Sequence, residues 1–197
     1  MAQCKRKKFP IGWVITITIW TFILAILLSI VTQLLFAGVE SFFVALFILL
    51  VIIFVGILFD MIGIAATAAD EVPLLAKAAK KTAGAREALY LIRNADRFSN
   101  FCNDVVGDIA GIISGVLSAF LVLRLITSGF LQAHPLFSII ATGLVSALTV
   151  GGKAVGKTVA IERSTEILLT FAYILTKVEA FLPGQLFFGR ALPRRRK

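Results

Sequence analysis

Two aspartates stand one helical turn apart in an apolar stretch of the chain, Asn100–Ser118 (NFCNDVVGDIAGIISGVLS). Wound as an α-helix at about 100° per residue, this stretch puts Asp104 and Asp108 on one face, above a row of glycines. Within a membrane span each carboxylate costs about 2.5–3.5 kcal/mol and by default indicates a functional site. The alternative is that the aspartates merely begin the helix at the water boundary, where acidic side chains suit the helix dipole. That alternative is weaker for Asp108, which lies a turn deeper.

A third aspartate and two glycine sites extend this chemistry to neighbouring segments. Asp60 and Gly63 interrupt the apolar run Phe42–Ala69, and Gly151-Gly152 ends a later one. Glycines in membrane helices allow close helix approach or local unwinding, and freed carbonyls are tolerated where they line protein or a cavity. We therefore expect either close helix approach or a break at each glycine site, and a break could supply carbonyl ligands. The alternative for Asp60 is an ordinary polar residue near the inner interface.

Three glycines follow the aspartates at a spacing of four. Gly107, Gly111 and Gly115 permit close helix approach. Because they share the polar face, we expect them to pack within the same chain, beside the aspartates.

The composition explains where such residues must lie. Of the 197 residues, 59% are hydrophobic and 16% are charged, with a mean hydropathy of +0.96. Soluble domains are nearer half apolar and about a quarter charged. The two cysteines, Cys4 and Cys102, do not suggest a disulfide framework. The chain is therefore an integral membrane protein of the all-α class, with four transmembrane helices and cytoplasmic juxtamembrane amphipathic helices.

Apolar runs of about 20 residues mark the four spans. They cover residues 12–36, 42–69, 101–126 and 136–150. The first is too long for a signal peptide and is interpreted as a retained extra helix. The fourth is short and is expected to end before Gly151. The single histidine, His134, lies in the loop before it, and we assign it no role.

Amphipathic segments lie between and after the spans. Residues 74–82 and 85–98 form two short basic helices that we expect to be broken at Gly84. Residues 162–182 repeat their apolar positions at intervals of three and four, with charges opposite, which indicates a helix in the plane of the inner leaflet. Pro183-Gly184 ends that helix, and a basic tail follows.

The charge distribution fixes the orientation. With four spans and both termini inside, all but one of the 20 Lys and Arg residues are cytoplasmic, and the exception is Arg124. The net charge of +9 is therefore a signal of topology and of an anionic inner leaflet, and nucleic acid is not needed to explain it. We expect a multi-pass protein of the cell membrane.

One motif resembles a nucleotide-binding loop, but we do not interpret it as one. Gly151–Thr158 reads GGKAVGKT, which matches the phosphate-loop pattern. A nucleotide-binding domain also needs a parallel sheet and far more chain than the 39 residues after Thr158. We expect no nucleotide partner.

The ordered motifs resemble the transmembrane domain of the CNNM/CorC family of magnesium transporters, from about Val44 to Pro183. The family's Asn-Pro-Glu-Arg-Phe-like turn corresponds to residues 94–98 (NADRF), and its Gly-Asn-Asn-like cluster to Asn103-Asp104 or Gly107-Asp108. Its Gly-Glu-x-x-Pro-Lys-x-x-Ala-like motif corresponds to residues 152–160 (GKAVGKTVA).

The chain departs from the family at several positions. Lys153 stands where the family has glutamate, and Gly156 stands where it has proline. Aspartates replace the usual asparagines, and we expect no paired CBS domains. The expected organisation is a basic cytoplasmic tail (1–10), an extra transmembrane helix (11–36), a CNNM/CorC-like domain (42–183) and a basic tail (184–197).

The resemblance implies a non-enzymatic transporter that moves Mg²⁺, outward and by alternating access, with one ion site per subunit. It also implies a homodimer, which we expect to be packed partly through small residues, with the glycine row beside the ion path. Mg²⁺ takes oxygen ligands, and no Cys/His cluster offers a site for a softer metal. The predicted metal-site residues are Asp60, Asn103, Asp104, Asp108, Gly63 and Gly151. No resident cofactor is expected. The alternative is a non-transporting membrane scaffold or subunit that retains the fold.

Overall fold

The computed structural model describes residues 11–37, 39, 41–129 and 135–181. Within those ranges every regular element is helical, which confirms the all-α class. The α-helices are α1 (Ile11–Ala37), α2 (Phe42–Ala68), α3 (Glu71–Ala79), α4 (Ala85–Arg93), α5 (Ala95–Asn100), α6 (Asp108–Thr127), α7 (Pro135–Glu162) and α8 (Ser164–Phe181). A π-helix, Phe101–Gly107, joins α5 to α6.

Four helical segments in the described chain are long and apolar enough to cross a membrane. They are Val14–Leu34, Phe42–Ala68, Ala95–Thr127 and Leu136–Glu162. The predicted four spans are confirmed by length and composition, and the first corresponds to the extra N-terminal helix. The basic tails, the loop at His134 and the predicted helix end at Pro183-Gly184 lie outside the described residues.

The chain divides into two compact units, Met1–Ala45 and Leu46–Lys197. In the first unit, α1 exposes large apolar side chains such as Trp20 and Phe22, as a lipid-facing helix does. The second unit contains the whole of the predicted polar site.

The fourth span differs from its prediction. We expected it to end at Val150, but α7 continues without a break through Gly151 and Gly152 to Glu162. A Cβ atom at Gly152 would collide with the Ile57 side chain of α2, and one at Gly156 would lie 3.4 Å from that side chain. The missing side chains therefore serve close helix packing, and the glycines do not unwind the helix.

The juxtamembrane region follows its prediction at Gly84 and departs from it at Asn94. Gly84 separates α3 from α4 and has a φ of +81°, the left-handed region that favours glycine. The predicted second helix is divided at Asn94, whose side-chain amide donates a hydrogen bond to the Tyr90 carbonyl oxygen. The chain therefore enters the third span through a separate short helix, α5.

A small apolar core holds this region against the last helix. Its buried members are Ala66, Leu74, Ala88, Leu91, Leu168 and Ala172. These side chains come from α2, α3, α4 and α8, so the amphipathic face that the sequence predicted for α8 covers the two juxtamembrane helices. An exposed ion pair between Arg93 and Glu71, with 2.7 Å between nitrogen and oxygen, links α4 to α3.

Candidate metal site

Close packing of α2 against α6 and α7 builds the site. A Cβ atom at Gly56 would lie 2.8 Å from the Cβ of Ala110, so α2 and α6 approach almost to backbone contact. One residue further along α2, Ile57 fills the space left by Gly152 and Gly156 of α7. Small residues at these crossings let three helices converge. Polar side chains one turn further along α2 therefore face those of α6 and α7.

At this convergence a lysine lies between two carboxylates. The Lys153 ammonium nitrogen of α7 is 3.5 Å from Oδ1 of Asp60 on α2 and 3.3 Å from Oδ1 of Asp108 on α6. The exposed fraction of the side chain is 14% for Asp60, 23% for Lys153 and 66% for Asp108. The pair with Asp60 is thus largely shielded, whereas Asp108 stands at the open side. Two carboxylates that would repel each other are held together by one internal cation.

Gly107 lies beside the Lys153 ammonium group. A Cβ atom at this residue would lie 3.4 Å from the Lys153 nitrogen, 3.6 Å from Oδ1 of Asp60 and 3.4 Å from the Cys102 carbonyl oxygen. The absence of a side chain at Gly107 therefore gives Lys153 its room. Of the three glycines in the predicted row, this one lies beside the polar site as expected.

Asn103 presents a second polar group to α2. Its side-chain amide nitrogen lies 3.2 Å from Oγ of Ser99, to which it donates a hydrogen bond. Its Oδ1 atom is buried and has no hydrogen-bond partner among the residues that the structure describes. That oxygen lies where a Cβ of Gly63 would be, one turn from Asp60. A buried oxygen without a donor is costly, and a cation is one group that would satisfy it.

The first of the two aspartates lies in the π-helix, whose hydrogen bonds span five residues, and not in the α-helix that the sequence predicted. Asp104 is exposed, while Asn103 and Gly107 face α2. Among the described residues, no group of three or more His, Cys, Asp or Glu side chains is placed to hold a metal ion. The assignment of Asp104 as a ligand beside Asp60 and Asp108 stays a prediction.

Glycine breaks are absent from the two helices. Gly63 lies inside α2 and Gly151 lies inside α7, so the alternative of a break is wrong at both sites. Gly63 makes room for Asn103, whereas a Cβ at Gly151 would meet nothing within 4 Å. The reason for assigning carbonyl ligands at these two residues was a freed backbone, which neither helix provides.

The packing expected for the rest of the glycine row is also wrong. A Cβ at Gly111 or at Gly115 would meet nothing within 4 Å. The space next to each of these Cβ positions is therefore open, and no other described helix of the same chain packs there.

Lys153 is a site residue that the sequence pattern did not predict. It is the first charged residue of α7 after a long uncharged run, and it directly follows Gly152. A lysine beside a helix-packing glycine must either extend toward the interface or turn into the bundle. The signal in the sequence was its position next to Gly152, although a lysine ammonium is not a metal ligand.

With the geometry described, the comparison with protein families is informative. The model of the Cyclin M (CNNM) transmembrane N-terminal domain matches residues 47–183 of this chain. The match covers well over half of the sequence and includes every residue of the candidate site. The chain therefore belongs to the CNNM transmembrane family, which confirms the resemblance seen in its motifs. No curated protein and no solved structure matches the chain.

Proposed function

We propose that the chain is a divalent-cation transporter that moves Mg²⁺ by alternating access, through the polar site between α2, the π-helix, α6 and α7. The observation that carries this proposal is the capture of one cationic group, the Lys153 ammonium, by Asp60 and Asp108 from two different helices. Carboxylates held together within a membrane domain provide the negative electrostatic potential and the oxygen ligands that a hard cation requires.

The unpartnered Oδ1 of Asn103 supports the same function. It is a neutral oxygen ligand on the face of the π-helix that meets α2, close to the turn that bears Asp60. π-helical turns occur frequently at functional sites, because the displaced hydrogen bonds redirect side chains. Outward direction is proposed on the family resemblance alone.

Cation flux tests the proposal. The purified full-length chain is reconstituted into liposomes that contain a Mg²⁺-sensitive dye, and flux is followed after a Mg²⁺ gradient is applied. Asp60→Asn should reduce the flux most, because Asp60 is the more buried carboxylate. Asp104→Asn should reduce it least, because Asp104 is exposed. Equal flux in wild type, Asp60→Asn and protein-free liposomes would contradict transport.

A second candidate function is a non-transporting scaffold or subunit that retains the fold. Lys153 favours it, since an internal cation already neutralises part of the carboxylate charge. A wild-type protein that folds and assembles but carries no Mg²⁺, Mn²⁺ or Co²⁺ in the flux assay would favour this candidate over transport.

The setting proposed for this function is a homodimer in the cell membrane, with both termini cytoplasmic and no enzymatic activity. Basic side chains of the juxtamembrane region support the orientation, because Lys80, Lys81 and Arg86 are exposed there. They would meet anionic headgroups at the inner leaflet, beside α8. The proposed partners are a divalent cation, lipid and a second copy, with no nucleic acid and no nucleotide.

A further inference from the structure

We propose that Lys153 is a tethered cation that competes with soluble cations for Asp60 and Asp108, and so sets which ions the site accepts. The inference rests on the proposed transport function, since it concerns the same site. It assigns to Lys153 a role in ion selectivity that the carboxylates alone do not explain.

The geometry places the ammonium where a shared ion would lie. Its nitrogen is within 3.5 Å of one oxygen from each carboxylate, and those carboxylates belong to different helices. An ion that binds both must therefore take the place of the ammonium. The open position beside Gly107 gives the lysine side chain its room, and the 66% exposure of Asp108 provides an open side toward which it can leave.

The charges indicate the consequence. Asp60 and Asp108 contribute two negative charges and Lys153 contributes one positive charge, so the three groups carry a net charge of −1. A divalent cation that enters beside a retained ammonium meets repulsion at short distance in a poorly screened environment. It binds well only if Lys153 moves away, and that displacement lowers the apparent affinity. Without the lysine charge, the two negative charges of Asp60 and Asp108 balance the two positive charges of a divalent cation.

The test is Mn²⁺ and Mg²⁺ binding to the full-length protein, by calorimetry and by Mn²⁺ electron paramagnetic resonance. Lys153→Met should raise the affinity for both ions by about tenfold or more, because a competing charge is removed. Lys153→Arg keeps the charge and should stay close to wild type. Lys157→Met is the matched control, since Lys157 is exposed one turn further along α7 and its removal makes the same change in net charge.

A double variant identifies the carboxylates. Asp60→Asn placed on the Lys153→Met background should abolish the gained affinity, because the gain requires both carboxylates. If Lys153→Met fails to fold, Lys153→Gln removes the charge and keeps a hydrogen-bond donor for Asp60. Mn²⁺ should then raise the melting temperature of Lys153→Gln more than that of wild type.

The outcomes separate this inference from the proposed function. Unchanged or weaker binding by Lys153→Met, or an equal gain in Lys157→Met, would overturn the tethered-cation role even if wild type transports Mg²⁺. Absence of binding in wild type and in every Lys153 variant would also overturn it. Tight binding by Lys153→Met with no flux in wild type would retain the inference and reject transport by the natural chain.

Discussion

The side-chain oxygen of Asn103 lies in the space that a Cβ of Gly63 would occupy. Cγ of Asn103 would be 2.9 Å and Cβ of Cys102 would be 3.0 Å from that atom, so a methyl group has no room. Gly63 therefore lets a polar side chain of the π-helix reach α2 while α2 remains a continuous helix. Glycine is therefore required at this position because Asn103 packs against it, and not because the backbone of α2 turns there.

Gly63→Ala should lower the stability of the folded protein and disturb Asn103. Overpacking of this kind costs about 1–3 kcal/mol. The measurement is thermal unfolding of the detergent-solubilised protein, followed by far-ultraviolet circular dichroism.

The control is Gly111→Ala, because a methyl group there meets open space. Alanine in a helix interior is favoured over glycine by about 0.5–1 kcal/mol, so this variant should be neutral or slightly more stable. Equal melting temperatures for Gly63→Ala and Gly111→Ala would contradict the packing of Asn103 against Gly63.

Gly84→Ala should destabilise the juxtamembrane region for two separate reasons. Its φ of +81° is costly for alanine, by about 1–2 kcal/mol. In addition, a Cβ at Gly84 would lie 2.8 Å from the Tyr173 backbone nitrogen, so α8 would have to move. Gly129→Ala is a matched control, since Gly129 has a φ of +76° and nothing within 4 Å of its Cβ position. The loss of thermal stability should be larger for Gly84→Ala, and equal losses would mean that α8 does not pack on this turn.

The spans and the amphipathic helices were predictable because composition and periodicity determine them. Membrane helices require about 20 apolar residues, and the runs in this chain are unmistakable. The face of α8 was equally clear, since its buried residues Leu168 and Ala172 lie one turn apart. The break at Gly84 also followed from the sequence.

The details of the site were less predictable because they depend on helix packing. A helical wheel assumes 3.6 residues per turn throughout, so it cannot show that Phe101–Gly107 is π-helical. A glycine in a membrane helix is compatible with either a break in the helix or a close crossing with another helix. The presence of Ile57 opposite Gly152 shows that this glycine serves a close crossing. The direction of the Lys153 side chain likewise depends on where Asp60 and Asp108 lie in space.

The four-span topology predicts opposite accessibility for the juxtamembrane region, which contains Lys80, and for the residues after α6. In a background of Cys4→Ser and Cys102→Ala, cysteines are introduced at Lys80 and Ser128, which are both exposed. A membrane-impermeant maleimide added to intact cells should label Ser128→Cys, because the loop after α6 is expected outside. Lys80→Cys should react only after the membrane is permeabilised. Labelling of both in intact cells would contradict the proposed orientation.

The last prediction compares two glycines of the row that follows the π-helix. Gly107→Leu should strongly weaken Mg²⁺ binding, because its side chain would enter the space beside the Lys153 ammonium and the Asp60 carboxylate. Gly111→Leu makes the same chemical change one helical turn away, where a Cβ meets nothing within 4 Å, and it should leave Mg²⁺ affinity unchanged. Both affinities are measured by calorimetry, and thermal unfolding verifies that each variant is folded.

The dimer fraction, measured by light scattering after size exclusion, shows whether either variant acts through assembly. A folded, still dimeric Gly111→Leu that loses Mg²⁺ binding would show that the ion path runs along the whole glycine row. Unchanged Mg²⁺ binding by Gly107→Leu would show that the ion does not bind beside Lys153 and Asp60. A bulky side chain at Gly107 cannot fit without displacing one of these two residues.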